Sequence, residues 1–144
     1  MCSSDLAFTR SYVGYVHAIA HSLGGRYGIP HGLANAIILP HMLRAYGEAA
    51  APKLADLARM AGIVPVNAQD SLAAEAFIDW IDCMNEILGI PKYVSGIRRS
   101  DIPQMAANAD AEANPLYPVP LLMDRLELER MYEVVAGGMF EDEN

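Results

Sequence analysis

The sequence predicts an all-α domain of roughly six helices in a bundle-like arrangement. Apolar residues recur with the period of a helix along most of the chain, and no segment shows the period-two alternation of a half-buried strand. Length and composition agree, because 144 residues with 53% hydrophobic and 19% charged residues suffice for one buried core. No internal repeat is present. We therefore expect one globular helical domain.

Two largely apolar helices are predicted at the start of the chain. The first covers residues 7–23 and is expected to end at Gly24 and Gly25, since glycine suits a helix C-cap. The second follows the loop RYGIP and covers residues 31–47, with a bend expected at Pro40. Because both helices are apolar around most of their circumference, we expect them to be deeply buried.

Two amphipathic segments follow. A third helix begins at Pro52, a favourable first-turn residue, and ends at Gly62. A fourth helix begins at Asp70, which is expected to cap it, and ends before Gly89 and Pro91. The predicted core face of the third helix is Leu54, Leu57, Ala58 and Ala61, and that of the fourth is Ala73, Phe77, Trp80, Ile81, Met84, Ile87 and Leu88.

The last third of the chain predicts two more helices. One covers residues 102–111, and the other covers residues 124–136 with Leu128, Met131, Tyr132 and Val135 on one side. Between them, NPLYPVP contains too many prolines for regular structure. The final segment, residues 137–144, is expected to be a frayed tail.

Charge and cysteine usage restrict the partners and the compartment. The net charge is −8, and residues 1–47 carry three arginines against one aspartate, so the acidity lies in residues 48–144. No basic stripe is present, which argues against nucleic acid. No apolar run approaches the ~20 residues of a membrane span, and no signal peptide is readable. Because Cys2 and Cys83 make no disulfide framework, we expect a cytoplasmic protein.

The stretch GYVHAIAHSLGGRYGIPHGLANAI contains three of the four histidines. His17 and His21 are four residues apart and share one helix face, a spacing that can supply two imidazoles to one metal. His31 follows a turn that can return it to that face. Such pairs also occur by chance, so the spacing leaves a metal site, a catalytic site and ordinary helix residues open. His41 is expected to be a hydrogen-bonded core or helix-surface histidine.

Two features of this stretch favour a site. Buried imidazoles in an apolar segment need polar partners, which a metal or a substrate would supply. Glycines at 24, 25, 28 and 32 suit close approach of the backbone to a ligand, although a helix cap explains the first two. Carboxylate partners are not apparent, because Asp5 is the only acidic residue among the first 47. The residues alone thus predict a site with incomplete ligands.

The longer stretch GYVHAIAHSLGGRYGIPHGLANAIILPH resembles the C-terminal signature of the iron-containing (group III) alcohol dehydrogenases. The matching residues are Gly14, His17, His21, Gly24, Gly25, Pro30, His31, Gly32, Ala34, Asn35, Ala36, Leu39 and Pro40. Weaker similarity continues through KLADLARMAGI, GIPKYVSGIRRSDIPQMAANA and NPLYPVP, and so covers nearly the whole chain after Leu6. The resemblance implies a dehydroquinate synthase-like fold, in which an α/β dinucleotide-binding domain precedes a helical C-terminal domain.

The resemblance also implies separate roles for the histidines. The family holds a divalent metal, iron(II) or in some members zinc, with one Asp and three His, of which two fall on His17 and His31. His21 corresponds to a histidine that is not a ligand but lies near the nicotinamide and the substrate, where it can relay a proton. Phe8 falls where the family places an aromatic wall of the substrate pocket. These roles differ from the spacing argument, which pairs His17 with His21.

The activity that the resemblance implies is hydride transfer between NAD or NADP and a small alcohol or aldehyde, with the metal acting as a Lewis acid. The family's other two ligands and its pyrophosphate loop precede this region, and no G-x-G-x-x-G occurs here. We therefore assign no cofactor-binding residue to this chain. We expect weak, substoichiometric metal binding, no turnover by the chain alone, and a homodimeric or larger parent enzyme.

Three expectations concern the extent of the chain. Residues 1–6, MCSSDL, match the translation of a short-read sequencing adapter, so we expect a non-native leader before a helical metal-binding domain at residues 7–136 that lacks its N-terminal Rossmann-like partner domain. The first two helices would then expose an apolar interface patch. The alternative is a stand-alone helical interaction module, or a subunit completed by another chain. A hydrolytic metalloprotein is disfavoured because no local carboxylate base accompanies the histidines.

Overall fold

A computed structural model describes residues 14–114 and 121–143, and every regular element in these two ranges is helical. The predicted all-α fold is therefore confirmed. The leader, Phe8, the start of the first helix and most of NPLYPVP lie outside the described residues. The α-helices are α1 (Gly14–Tyr27), α2 (His31–Tyr46), α3 (Ala51–Met60), α4 (Asp70–Ile87), α5 (Ile102–Ala113) and α6 (Arg125–Val135). Short 3₁₀ helices cover Gly47–Ala49, Arg99–Asp101 and Glu141–Glu143.

The helices pack around one main core. Helix α1 contacts α2 and α5, α5 contacts α6, and α2 also reaches α4 and α6. Large side chains such as Ile19, Leu23 and Ile38 are fully buried there, and each contributes about 1.5–3 kcal/mol by leaving water. Helices α3 and α4 form a peripheral pair with a small core of their own around Ala55, Ala58 and Ala73. The histidine-bearing helices thus belong to the main core.

The connection between α1 and α2 differs from the prediction. Helix α1 continues through Gly24 and Gly25 and ends at Tyr27, so the predicted glycine C-cap is wrong. The chain reverses at Gly28, which has φ +70° and donates its N–H to the Gly24 carbonyl at 3.0 Å. Glycine adopts this left-handed conformation without steric cost. A Cβ on Gly24 would lie 3.2 Å from the Ile29 carbonyl oxygen, so glycine there permits a close turn.

The predicted core faces are partly correct. Leu128, Met131, Tyr132 and Val135 of α6 are buried as predicted. On α4, however, Trp80, Ile87 and Leu88 are 47%, 71% and 66% exposed. The buried residues of α4 are Ala73, Ala74 and Ile78, all in its first half, whereas Ile81 in the second half is only partly buried against the main core. On the third helix, Ala61 is exposed and Ala55 is buried instead.

The expected apolar patch on the first two helices is also wrong for the described part of them. Between residues 14 and 46 no large hydrophobic side chain is exposed, since α1 and α2 bury each other against α5, α4 and α6. The exposed large hydrophobic residues of the described ranges lie elsewhere: Met60, Val66, Leu72, Trp80, Ile87, Leu88, Tyr93, Leu121, Leu122, Leu126, Val134 and Met139.

The side-chain cap that was expected at the start of α4 is absent, and one is present at the start of α6. Helix α4 begins at Asp70, but no side chain caps it. The Asp70 carboxylate instead accepts a hydrogen bond from Arg59 at 2.6 Å and joins α4 to α3. Helix α6 has the side-chain cap, because the Asp124 carboxylate accepts the Glu127 N–H at 2.8 Å.

The C-terminal segment is packed and not frayed. Phe140 is 3% exposed, and the Arg99 guanidinium lies 4.1 Å from its ring centroid. The Asp142 carboxylate accepts the backbone N–H groups of Arg99 and Ser100 at 2.8 and 3.0 Å. These hydrogen bonds lower the pKa of Asp142 to about 2. Residues 137–143 therefore close the end of α6 against the loop before α5.

Two buried tyrosines fix α1 in place. The Tyr15 hydroxyl donates to Asn114 Oδ1 at 2.7 Å and accepts the Met123 N–H at 2.8 Å. The Tyr132 hydroxyl donates to the Met105 carbonyl at 3.2 Å and shares a hydrogen bond with the Ser22 hydroxyl. Burial raises the pKa of Tyr132. Both ends of α1 are thereby tied to α5, α6 and the segment between them.

No helix within the described ranges is both long enough and apolar enough to cross a membrane.

Gly137 and Gly138 offer a matched test of the C-terminal packing. Both have positive φ, +67° and +75°, but a Cβ on Gly137 would lie 2.7 Å from Tyr93 Cγ whereas one on Gly138 would meet nothing within 4 Å. We expect Gly138→Ala to lower the free energy of unfolding by about 1 kcal/mol, and Gly137→Ala to lower it by at least about 1 kcal/mol more. Urea denaturation measures both. Equal losses would contradict the packing of Tyr93 on Gly137.

Candidate metal centre

Three imidazoles converge where α1 meets α2. His17 and His21 lie one turn apart on α1, and His31 is the first residue of α2. The ring centroids are 4.7 Å apart for His17 and His21, 4.6 Å for His17 and His31, and 5.1 Å for His21 and His31. One ring nitrogen of each residue lies within 4.8 Å of the others. The turn therefore returns His31 to the face of α1, as the sequence predicted.

The environment of His17 favours its neutral form. His17 is half-buried, whereas His21 and His31 are exposed. Burial lowers the pKa of His17, the neighbouring His21 and His31 lower it further, and Glu112 opposes them. Because a metal binds the neutral imidazole, this shift leaves the His17 lone pair available near neutral pH.

A carboxylate from a distant part of the sequence reaches this cluster. Glu112 Oε1 on α5 lies 2.5 Å from Nδ1 of His21. The expectation that no carboxylate accompanies the histidines is therefore wrong, and the argument against a hydrolytic metal site loses its premise. No local pattern in the sequence indicates this contact, because 91 residues separate the pair and the packing of α5 on α1 brings them together.

An open cavity of about 550 Å³ lies beside the His21–Glu112 pair. Arg26 borders it and donates a hydrogen bond to Asp101 at 3.2 Å. Gly25 leaves the cavity unobstructed, since a Cβ there would meet no atom within 4 Å. The lining residues are Ala18, His21, Ser22, Gly25, Arg26, Asn108 and Glu112. Solvent and small molecules can therefore approach His21 and Glu112 from this side.

The donor set fits a divalent transition metal. Imidazole nitrogen suits iron(II) and zinc alike, so the ligands do not select one of them. The three rings are nearly equidistant, so their spacing does not separate two ligands from a third residue with another role. The assignment of His17 and His31 to the metal, with His21 on the substrate side, stays a prediction. Phe8, the predicted substrate wall, lies outside the described residues.

The fourth histidine is a hydrogen-bonded core residue, which is one of the two alternatives that the sequence left open. His41 on α2 is 7% exposed, its Nε2 lies 2.8 Å from the Lys92 carbonyl oxygen, and its ring stacks on Tyr93. Its hydrogen-bonding need is therefore met within the protein.

Comparisons with known proteins match this chain over most of its length. The model of the Fe-containing alcohol dehydrogenase family, C-terminal, matches residues 2–135. The 1,3-propanediol dehydrogenase of Klebsiella pneumoniae is 40% identical over 114 residues, which are 77% of this chain and 29% of that protein. The lactaldehyde reductase of Escherichia coli (strain K12) is 36% identical over 108 residues, 74% of this chain and 28% of that protein.

A solved structure shares the fold. A crystal structure of 1,3-propanediol oxidoreductase superimposes with a TM-score of 0.74 at 34% identity, covering 84% of this chain and 32% of that one. The chain thus spans about a third, or less, of the proteins it resembles.

The histidine cluster makes a direct prediction about zinc affinity. We expect the chain to bind zinc weakly, so that excess nitrilotriacetate removes it, and we expect His17→Ala and His31→Ala each to weaken binding by about tenfold or more. Competition with a fluorescent chelator measures the affinity. His41→Gln, which keeps a donor for the Lys92 carbonyl, is the matched control and should bind as the native chain does. Unchanged affinity in His17→Ala would exclude the cluster as the zinc site.

Proposed function

The chain belongs to the iron-containing alcohol dehydrogenase family, and we propose that it forms the helical C-terminal part of an enzyme that transfers hydride between NAD or NADP and a small alcohol or aldehyde. The observation that carries this proposal is the convergence of His17, His21 and His31 inside the region that the family model matches. The relatives named 1,3-propanediol dehydrogenase and lactaldehyde reductase support a small oxygenated substrate.

His17 and His31 are the metal-holding residues of this proposal. Their rings are 4.6 Å apart and belong to different helices, so the corner between α1 and α2 fixes their separation. A bound iron(II), or zinc in its place, would act as a Lewis acid on the substrate oxygen. The lowered pKa of His17 keeps its imidazole ready for the ion.

His21 acts on the substrate side. It is exposed beside the two metal-holding rings and borders the open cavity, so it can exchange a proton between a bound substrate and solvent. Imidazole is suited to this transfer because its two ring nitrogens can donate one proton and accept another. Phe8 is proposed as a wall of the substrate pocket, on the strength of its place in the family resemblance.

The rest of the active site is proposed to come from outside the chain. Two further metal ligands and the dinucleotide-binding domain would precede this region in the same polypeptide, within a homodimeric or larger cytoplasmic enzyme. The alternative is that a second chain supplies them to a stand-alone helical module. In both cases the chain alone should show no dehydrogenase turnover, because the dinucleotide-binding domain and two of the metal ligands would come from outside it.

A chimeric enzyme tests the proposed function. Residues 14–143 would replace the matched part of the Klebsiella pneumoniae 1,3-propanediol dehydrogenase, which supplies the remainder of the protein. We expect NAD-dependent oxidation of a small alcohol that requires added iron(II), and a loss of at least about 10²-fold in kcat/KM with His17→Ala or His31→Ala.

Two controls accompany the chimera. His41→Gln should retain the activity, since its ring bonds to the Lys92 carbonyl and takes no part in the cluster. The chain alone, assayed under the same conditions, should be inactive. A folded chimera that binds iron(II) but fails to oxidise any small alcohol would contradict the proposed function.

A further inference from the structure

We propose that Glu112 is a positioning residue for His21, which sets the imidazole tautomer and the orientation of the ring. The inference deepens the proposed function and rests on it for the meaning of the proton transfer. It concerns a carboxylate that neither the histidine spacing nor the family resemblance singles out.

The geometry determines which nitrogen of His21 carries the proton. Glu112 Oε1 lies 2.5 Å from His21 Nδ1, which is hydrogen-bonding distance. An ionised carboxylate can only accept, so Nδ1 must donate and Nε2 is left as the nitrogen with a free lone pair. Without a partner, an imidazole is free to exchange the two tautomers and to rotate about its side-chain bonds. Glu112 therefore keeps Nε2 of His21, the nitrogen with the free lone pair, turned away from its own carboxylate and accessible to a substrate.

The rigidity of this pair comes from helix packing. His21 is on the last half of α1 and Glu112 is near the end of α5, and these helices pack directly. The neighbouring residues Ala20 and Ala113 are fully buried, so neither backbone can shift easily. One turn earlier on α5, Asn108 accepts a hydrogen bond from Gln104 at 3.0 Å. The packing of α1 on α5 therefore determines the orientation of His21.

Among the charged groups that line this cavity, Glu112 pairs with His21, whereas Arg26 pairs with Asp101. Arg26, the cation of the same cavity, donates to Asp101 at 3.2 Å. The side chains of His21 and Glu112 are 49% and 30% exposed, so the pair is partly screened by water and its role is orientation more than stability. This exposure also gives Glu112 direct contact with solvent in the cavity.

Nitrogen NMR of the full chain tests this inference without metal or nicotinamide. Long-range ¹H–¹⁵N spectra of the ¹⁵N-labelled chain, recorded with a chelator at about pH 8.5, where imidazoles are neutral, distinguish Nδ1–H from Nε2–H. We expect His21 to be mainly the Nδ1–H tautomer in the native chain, and mainly the Nε2–H tautomer in Glu112→Ala. Glu112→Asp keeps the charge with a shorter reach and should shift part of the population. Should Glu112→Ala fail to fold, the tautomer measured in Glu112→Asp tests the inference.

The control is Asn108→Ala, which changes the wall of the same cavity and should leave the His21 tautomer unchanged. A native chain with His21 in the Nε2–H form, or no change of tautomer in both Glu112 variants, would overturn the inference. Its failure is distinguishable from failure of the proposed function. If the chimera is active but His21 lacks the Nδ1–H tautomer, only the role of Glu112 is contradicted. If His21 has the Nδ1–H tautomer but the chimera is inactive, only the proposed dehydrogenase activity is contradicted.

Discussion

The reversal of the chain at Gly28 is the constraint on which the site depends. Its positive φ ends α1 and allows α2 to begin three residues later at His31. Because the apolar sides of α1 and α2 then bury each other in the main core, the histidine-bearing parts of the two helices keep fixed positions relative to each other. His17, His21 and His31 are the residues that this corner leaves facing one another. The histidine cluster is therefore a consequence of one glycine-dependent turn and of the core packing behind it.

The two buried tyrosines hold α5 and α6 in place relative to this corner. Tyr15 anchors the start of α1 to Asn114 and Met123, and Tyr132 reaches Ser22 near its end. Since α5 is fixed between these two anchors, Glu112 has a defined place beside His21. Helices α3 and α4 contribute little to this arrangement, because they form a peripheral pair with a small core.

The sequence predicted what local periodicity controls and missed what tertiary packing controls. The six helices and the shared face of His17 and His21 follow from spacing and composition, whereas the choice between a core and a surface position for His41 required the structure. Helical periodicity shows that Trp80 and Ile87 share a side of α4, but it cannot show that no neighbouring helix covers that side. Glu112 was invisible for a related reason, since the contact between α1 and α5 joins residues 91 positions apart. The frayed tail was wrong because Phe140 finds a partner in Arg99.

The central claim is that the corner between α1 and α2 gathers imidazoles from both helices around one metal ion. X-ray absorption spectroscopy of the zinc-loaded chain tests it most directly. The account predicts nitrogen scatterers at about 2.0–2.1 Å, with outer-shell scattering from at least two imidazole rings that diminishes in His31→Ala. A shell of oxygen ligands without imidazole scattering, or a spectrum that His31→Ala leaves unchanged, would contradict it.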